Sequence, residues 1–215
     1  MLDKTLEFKG IIMRMEAHLV PTIKAAPLPE GFSYRFFRNP DDIKHWARIE
    51  TSVLEFDDPK VAEEYFISSY LPQINDLRRR CVFIKNSDGL PIATATAWYA
   101  NVSELGHQAI LHWVGVCPEY QGLGLGKAVV QKVLEVFNEL EAGYPIWLHT
   151  QTWSHPAVRL YHKLGFNFVK TDKLGNDNTR SGGSKIYEED SMKAIEVLQK
   201  VVDKQLLDEY VRTAV

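Results

Sequence analysis

Three glycines at alternate positions interrupt the segment PEYQGLGLGKAVV, residues 118–130, between an apolar extended run and a helical pattern. A glycine in such a turn can adopt a positive φ, and its missing Cβ lets a ligand approach the main chain closely. The helix that follows directs unpaired N–H groups and the positive end of its dipole towards that ligand. The turn therefore predicts an anion site, with a phosphate or pyrophosphate as the first candidate.

Two common phosphate-binding motifs do not fit this spacing. The P-loop pattern requires a glycine where Gln121 stands and a serine or threonine where Ala128 stands. The dinucleotide fingerprint requires a third glycine at a position that holds valine or lysine in the two available frames. The pattern that does fit is Gln-x-x-Gly-x-Gly, formed by Gln121, Gly124 and Gly126.

Length and composition limit the class of protein. A chain of 215 residues can bury one core, and no shift in composition marks a linker, so we predict one domain over residues 1–215. A formal net charge of -3 gives no general attraction to nucleic acid or to an anionic membrane surface. Cys81 and Cys117 have no metal-ligand spacing, so we predict neither a metal site nor a disulfide, and a cytoplasmic location. The N-terminal 21 residues carry frequent charges, which argues against a signal peptide or a spanning segment.

Hydrophobic periodicity predicts an alternation of strands and helices along the chain. Strands are expected at residues 32–39, in a hairpin from 81 to 101 with its turn at Asp88-Gly89, and at 107–116, 145–153 and 166–172. Helices are expected at 40–56, at 60–80 with a bend at Pro72, from Gly126 to about 140, at 154–165 and at 191–215, with a loop at 173–190. This order predicts an α/β (α+β) fold with a mixed central sheet flanked by helices and a C-terminal helical extension.

The order of strand, PEYQGLGLGK, helix, strand, and a helix that carries LYHKLGF closely resembles the GNAT superfamily of acyl-CoA N-acyltransferases. The resemblance rests on the glycine turn together with Tyr161-x-x-x-Gly165-Phe166. The segments PLPEGFSYRFF, IETSVLEFD and LHTQTWSHPAVRLYHKLGF also resemble those of uncharacterised bacterial members. The resemblance implies a GNAT-like core at 32–172 and leaves 1–31 as an N-terminal extension. The helix at 191–215 is expected to serve either packing or dimerisation.

The resemblance implies that acetyl-CoA is the acyl donor and that the turn holds the pyrophosphate of coenzyme A. The turn residues concerned are Gln121, Gly122, Leu123, Gly124, Leu125, Gly126 and Lys127. Main-chain groups of Val114 and Val116 would pair with the pantetheine arm as if it were another strand. Ser154 stands where the family often has asparagine, so its hydroxyl is expected to cap the next helix or to contact a ligand.

Tyr161 matches the position that faces the departing sulfur in the family. A phenol near pKa 10 is a weaker acid than a thiol near 8.5, so we expect a hydrogen-bond donor to the developing thiolate rather than a full proton donor. The same residue lies in an apolar stripe with Ala157 and Leu164, which equally predicts a core aromatic side chain.

Two residues are candidates for the base that takes the amine proton. His112 precedes the glycine turn on a strand whose alternation places it on the face of Val114 and Val116, and free imidazole titrates near pH 6.5. A structural histidine is the alternative. Glu50 lies in the centre of an apolar helical stripe, where a carboxylate is costly unless it is paired. It is therefore either bonded to an arginine, or a base or anchor for the substrate ammonium; we favour His112 as the base.

The resemblance thus implies an N-acetyltransferase that moves an acetyl group from acetyl-CoA to a primary amine of a small molecule or peptide by direct attack. Such a reaction needs no acyl-enzyme, so Cys117 is not expected to be a nucleophile. The alternative is a module that binds acyl-CoA as a sensor, without turnover. The presence of both Tyr161 and His112 favours the enzyme, and a polyamine, an amino acid, an antibiotic and a protein N-terminus all stay open as acceptors, as does a homodimer.

Overall fold

A computed structural model describes residues 2–102, 105–170 and 190–215. The strands are β1 (Gly10–Met15), β2 (Ser33–Phe36), β3 (Cys81–Lys85), β4 (Pro91–Val102), β5 (Gly106–Val116), β6 (Ile146–Gln151) and β7 (Asn167–Phe168). The helices are α1 (Asp41–Ser52), α2 (Pro59–Ser69), α3 (Ile74–Arg80), α4 (Leu125–Leu140), α5 (His155–Lys163), α6 (Asp190–Leu198) and α7 (Lys204–Thr213). The predicted loop at 173–190 lies almost entirely outside the described residues.

The strands form one sheet in the order β2-β3-β4-β5-β6-β1-β7, which confirms the predicted mixed sheet flanked by helices. The predicted hairpin is also confirmed, because β3 pairs antiparallel with β4 across the turn at Gly89. The predicted helix at 60–80 is broken by a 3₁₀ turn at Leu71–Gln73, as expected from the missing N–H of Pro72. By its internal contacts the described chain divides into two compact units.

The first unit comprises residues 21–98 and 111–142. Here α1 packs on α2 and α4 packs on β3. Trp46 of α1 is fully buried against Phe66 of α2, with ring centroids 4.9 Å apart. The buried guanidinium of Arg80 pairs with the buried carboxylate of Glu141, with Nη2 2.7 Å from Oε1. These contacts join α1 to α2 and the end of α3 to the end of α4.

The second unit comprises residues 2–20, 99–110 and the described part of 143–215. Its sheet contains a strand that the sequence pattern did not predict, because β1 lies within residues 1–31, taken above as an extension. β1 runs antiparallel to both β6 and β7. Ile11, Ile12 and Met13 are all buried, so the strand is covered on both faces and lacks the alternation by which a half-buried strand is recognised.

The predicted C-terminal helix at 191–215 consists of two helices, α6 and α7. The break has a local cause, since the carboxylate of Asp203 caps α7 by accepting a hydrogen bond from the N–H of Leu206. α6 packs on β1 and α7 packs on β7, so packing within the chain accounts for their apolar faces. Ile195 and Leu198 are buried, whereas Leu206 is only half-buried.

In the three described stretches of the chain, no helix is both long enough and apolar enough to cross a membrane.

The start of α1 depends on a paired carboxylate. Asp42 accepts two hydrogen bonds from the Arg35 guanidinium, at 2.9 and 2.5 Å, and one from the main-chain N–H of Arg38 at 2.7 Å. Burial alone would raise the pKa of Asp42, but these hydrogen bonds outweigh it and hold the pKa below its usual range. The pair therefore stabilises the fold only while Asp42 is ionised.

We expect Asp42→Ala to lower the free energy of unfolding by about 3 kcal/mol, because it leaves the Arg35 guanidinium buried without its partner. Asp41→Ala, its exposed neighbour in the same helical turn, should cost less than about 1 kcal/mol. Urea unfolding measures both. The difference in the free energy of unfolding between wild type and Asp42→Ala should keep its full value above the unfolded-state pKa of an aspartate, near 3.9. It should disappear as the pH falls below about 4. A difference that persists at acid pH would contradict this account.

Candidate functional site

The predicted glycine turn joins β5 to α4 in the first unit. Gly122 and Gly124 have φ of 83° and 79°, a conformation that residues with a Cβ rarely adopt. A Cβ at either position would have no described atom within 4 Å. Leu123 between them is 51% exposed, whereas Gly126 is already the second residue of α4. The turn therefore presents bare, open main chain rather than filling a gap in the core.

The N-terminus of α4 follows directly from Gly124. None of the described side chains caps this helix, and its first turn carries no acidic residue. Leu125 and Val129 are buried and anchor the helix, while Lys127 is exposed and adds a positive charge. Unpaired N–H groups, the helix dipole and a cradle that any Cβ would fill all fit a pyrophosphate.

Gln121 has a structural part in this turn. Its side-chain amide donates a hydrogen bond of 2.9 Å to the carbonyl oxygen of Val116, the last residue of β5. The N–H of Cys117 in turn donates to the carbonyl oxygen of Ile92 on β4, also at 2.9 Å. The turn is thus tied to a strand end that is itself fixed in the sheet.

β5 is irregular at Trp113, where φ is 49°. The consecutive residues His112 and Trp113 both contact aromatic rings near the C-terminal end of α2, His112 that of Tyr70 and Trp113 that of Tyr65. Consecutive side chains of a regular strand point to opposite faces. The alternation that placed His112 on the face of Val114 therefore does not hold across Trp113. The half-buried Val114 and Val116 follow this irregularity.

Glu50 packs against the main chain of β5. Its side chain is fully buried, and neither carboxyl oxygen has a hydrogen-bond partner among the described residues. A Cβ on Gly115 would lie 2.8 Å from Oε1 of Glu50, so the carboxyl group rests on the strand between Val114 and Val116. Burial chiefly, and then the charge of Glu55, raise the pKa of Glu50 well above its usual range. The arginine partner that the sequence offered as one explanation is not found in the described part of the chain.

His112 has a partner that the sequence pattern missed. The hydroxyl of Tyr70 lies 2.8 Å from Nδ1 of His112. Burial chiefly, and then Tyr65, raise the pKa of Tyr70 well above its usual range, so the hydroxyl keeps its proton at neutral pH. A hydroxyl on one ring nitrogen holds the orientation of an imidazole, and when that nitrogen is the donor it leaves the other one free to take a proton. No sequence signal links the two residues, because 42 positions separate them.

Tyr161 lies in the second unit, on α5, and is buried. Gly165 has φ of 102° and ends the helix: its N–H donates to the carbonyl of His162, and the N–H of Phe166 donates to the carbonyl of Tyr161. The Tyr161 and Phe166 rings meet edge to face, 6.0 Å apart. This pair of hydrogen bonds and this contact form a Schellman motif, which gives the Tyr161-x-x-x-Gly165-Phe166 pattern a structural explanation.

Two further expectations concern Ser154 and Cys117. The hydroxyl of Ser154 does not cap α5, so its contact with a ligand stays a prediction. Cys117 is buried, and burial chiefly raises the pKa of its thiol, which disfavours the nucleophilic thiolate. Within residues 2–102, 105–170 and 190–215, no group of three or more His, Cys, Asp or Glu residues could hold a metal ion.

The Acetyltransferase (GNAT) family model matches residues 41–166, which is more than half of the chain. The chain therefore belongs to the GNAT acetyltransferase family. The match contains α1, the glycine turn, α4 and Tyr161, the elements described above.

Named relatives agree with this family. A mycothiol acetyltransferase from Actinosynnema mirum is 28% identical over 161 residues, which cover 75% of this chain and 52% of that protein. The N-alpha-acetyltransferase RimI from Mycobacterium tuberculosis is 32% identical over 75 residues, 33% of this chain and 45% of that protein. A GCN5-related N-acetyltransferase structure from Sphaerobacter thermophilus shares the fold, with a TM-score of 0.58, 18% identity and coverage of 76% of this chain and 49% of that one. The chain spans about half the length of these proteins.

We expect Gly124→Val to weaken acetyl-CoA binding by about 10-fold or more, because a branched Cβ resists positive φ and would fill the space left for the phosphates. Gly89→Val is the matched control, since Gly89 also has a positive φ, 82°, and open space around its Cβ position, but lies in the β3–β4 turn. Titration calorimetry measures both affinities, and circular dichroism checks that both variants are folded. Equal affinities of the two folded variants would remove the turn from the binding site.

Proposed function

We propose that this chain is an N-acetyltransferase that moves the acetyl group of acetyl-CoA to a primary amine by direct attack. The observation that carries the proposal is the open N-terminus of α4, where Gly122 and Gly124 adopt positive φ and leave main-chain N–H groups available to an anion. Membership of the GNAT acetyltransferase family supports the same reaction class.

In this proposal the chain holds the donor mainly through its main chain. The turn from Gln121 to Lys127 holds the pyrophosphate through its main-chain N–H groups other than that of Gln121, which donates to the carbonyl of Pro118. Main-chain groups of Val114 and Val116 pair with the pantetheine arm. Ser154 is a further contact of the acyl donor, acetyl-CoA. Acetyl-CoA supplies an acyl group already activated as a thioester, so the protein has to position it, accept a proton from the amine and stabilise the departing sulfur.

The proton to be removed belongs to the acceptor. An alkylamine with a pKa near 10.4 is mostly an ammonium ion at pH 7 and must lose one proton before its nitrogen can attack. We assign that proton to His112, with Tyr70 as a positioning residue that holds the imidazole through Nδ1. Glu50 is the rival base, because its buried carboxyl group has a raised pKa and rests on Gly115.

The deprotonated amine then attacks the thioester directly. The amine nitrogen bonds to the thioester carbon, the carbon–sulfur bond breaks with its electron pair on sulfur, and the second N–H proton of the nitrogen passes to solvent, which leaves the amide and a thiolate that carries the negative charge. We assign to Tyr161 the hydrogen bond that stabilises this thiolate. The Schellman motif at Gly165 fixes the end of α5 and with it the backbone of Tyr161. Tyr161 can therefore belong to the Schellman motif through its backbone and use its hydroxyl in catalysis.

The acceptor and the location complete the proposal. One relative is named for mycothiol and another for N-alpha-acetyl transfer, which supports an amine of a small molecule or of a peptide. We propose a cytoplasmic location, because Cys81 and Cys117 are both free, buried thiols, as expected in a reducing compartment. A homodimer stays a prediction.

Thiol release tests the proposal directly. On mixing with acetyl-CoA and a panel of primary amines, the protein should release free thiol in proportion to acetylated amine, whereas a sensor without turnover would bind acetyl-CoA and release none. Tyr161→Phe should lower kcat by about 10-fold or more with little change in acetyl-CoA affinity, because the lost hydrogen bond forms mainly in the transition state. Tyr210→Phe is the control: it removes a buried hydroxyl that has no described partner and should leave kcat unchanged.

Paired variants decide which residue is the base. If His112 takes the proton, kcat/KM rises with pH through one ionisation, and His112→Ala removes that rise with a loss of about 100-fold or more. If Glu50 takes it, the wild-type curve has the same sign, because a base works only when unprotonated, but Glu50→Gln causes the larger loss. Asp41→Asn, an exposed acid on the same helix as Glu50, serves as the control. Near-normal rates and an unchanged pH dependence in both variants would exclude both residues.

A further inference from the structure

We propose that the acceptor is a primary amine that carries an aromatic ring and no carboxylate, bound against Phe56, Tyr65 and Trp113. These three residues are named the aromatic wall. This inference rests on the proposed function and adds the chemical class of the acceptor. It is carried by four features of the first unit: the rings, the backbone strain at Leu54 and at Trp113 itself, a buried carboxyl group and an acidic surface.

The aromatic wall consists of three partly exposed rings in mutual contact. The centroid of Trp113 lies 5.2 Å from those of Phe56 and Tyr65, and Phe56 lies 5.6 Å from Tyr65. The indole N–H of Trp113 donates to the hydroxyl of Tyr65 at 3.3 Å, which fixes both rings. Behind them lies the fully buried Trp46. Rigid, partly exposed rings are well suited to stack an aromatic ligand.

Backbone strain is concentrated at the same place. Among the described residues, Leu54 and Trp113 are the two non-glycine residues with positive φ, 71° and 49°. Leu54 is two residues from Phe56, and its side chain is 39% exposed. Burial of that side chain therefore does not offset the free-energy cost of the strain. Strain of this kind costs about 1–3 kcal/mol at each residue and persists where a particular surface must be presented. Trp113 is itself a member of the wall, so the strain sets the position of a ring.

A buried carboxyl group shares a face of α1 with Trp46, whose ring contacts that of Trp113 in the wall. Glu50 follows Trp46 by about one turn on the same buried face of α1, and its two oxygens have no described hydrogen-bond partner. A buried polar group without a partner is costly, and an ammonium group is the complementary partner for a carboxylate. Glu50 also rests on Gly115, the residue between the two proposed contacts of the pantetheine arm. An ammonium held by the wall next to this part of β5 would therefore lie close to the thioester.

The surface around the wall is acidic. The segment 54–64, which contains Phe56 and begins α2, has five acidic residues and one lysine, a net charge of -4. Glu55, Asp57, Asp58 and Glu64 are exposed. Such a surface attracts an amine cation and repels a ligand that also carries a carboxylate. Charge therefore favours an arylalkylamine over an aromatic amino acid.

Four acceptors separate the contribution of the aromatic ring from that of the ligand's charge: 2-phenylethylamine, 3-methylbutylamine, L-phenylalanine and L-phenylalaninamide. With saturating acetyl-CoA, kcat/KM for 2-phenylethylamine should exceed that for 3-methylbutylamine by about 5-fold or more, because only the former stacks on the wall. It should exceed that for L-phenylalanine by about 10-fold or more, and L-phenylalaninamide should recover most of that loss. Equal values for the aromatic and aliphatic amines, or a preference for L-phenylalanine, would overturn the inference.

Variants of Tyr65 test the wall itself. Tyr65→Leu should bring the ratio of 2-phenylethylamine to 3-methylbutylamine close to one, whereas Tyr65→Phe, which keeps the ring, should retain the preference. Tyr144→Leu, an exposed tyrosine of the second unit, is the matched control and should also retain it. The ratio within one variant cancels any general loss of activity. A ratio unchanged in folded Tyr65→Leu would contradict the inference, and if that variant does not fold, the four wild-type values still decide.

Binding measured without turnover separates this inference from the proposed function. Calorimetric titration of the amines into the protein saturated with coenzyme A should show 2-phenylethylamine binding more tightly than 3-methylbutylamine by about 5-fold. That preference without thiol release would support the aromatic acceptor and refute the acetyltransferase. Thiol release with every amine, and no preference in binding or rate, would support the acetyltransferase and refute the aromatic acceptor.

Discussion

The close approach of α1 to β5 at Gly115 is the constraint on which the first unit depends. Any side chain at this position would bring a Cβ within 2.8 Å of both Oε1 of Glu50 and Cγ2 of Ile49. Because glycine leaves that space open, α1 lies directly on the strand that runs into the glycine turn. The same contact buries the carboxyl group of Glu50 and, one helical turn earlier, sets Trp46 behind the aromatic wall. One missing side chain thus positions both the proposed acceptor surface and the main chain proposed to hold the donor.

Two opposite uses of the backbone meet in this unit. At Gly122 and Gly124, positive φ costs little and opens main-chain N–H groups at the start of α4. At Leu54 and Trp113, positive φ is costly and presents side chains instead. The first arrangement suits an anion held by N–H groups, and the second suits a ligand recognised by its shape and its ring. The donor is thus proposed to bind the end of β5 and the turn after it, whereas the acceptor is proposed to bind Trp113 of β5 and the rings next to it.

What the sequence could predict was local. Turn residues and periodicity predicted the β3–β4 hairpin, the glycine turn, α4 and the break at Pro72, because each depends on neighbouring residues. β1 was missed because a strand buried on both faces lacks alternation, and its frequent neighbouring charges resemble those of a solvated extension. The hydrogen bond between Tyr70 and His112 and the approach of Glu50 to Gly115 depend on contacts between residues far apart in the chain. The irregularity at Trp113 was also hidden, since tryptophan is not a residue from which positive φ is expected.

Amide hydrogen exchange with and without acetyl-CoA tests the central claim most directly, namely that the end of β5 and the turn before α4 bind the donor through their main chain. The first N–H groups of a helix have no partner within the helix, so without ligand those of α4 should exchange rapidly. The account predicts that acetyl-CoA slows exchange in residues 114–127 and leaves the β3–β4 turn at Gly89 unchanged. Binding of acetyl-CoA with no slowing in residues 114–127 would contradict it.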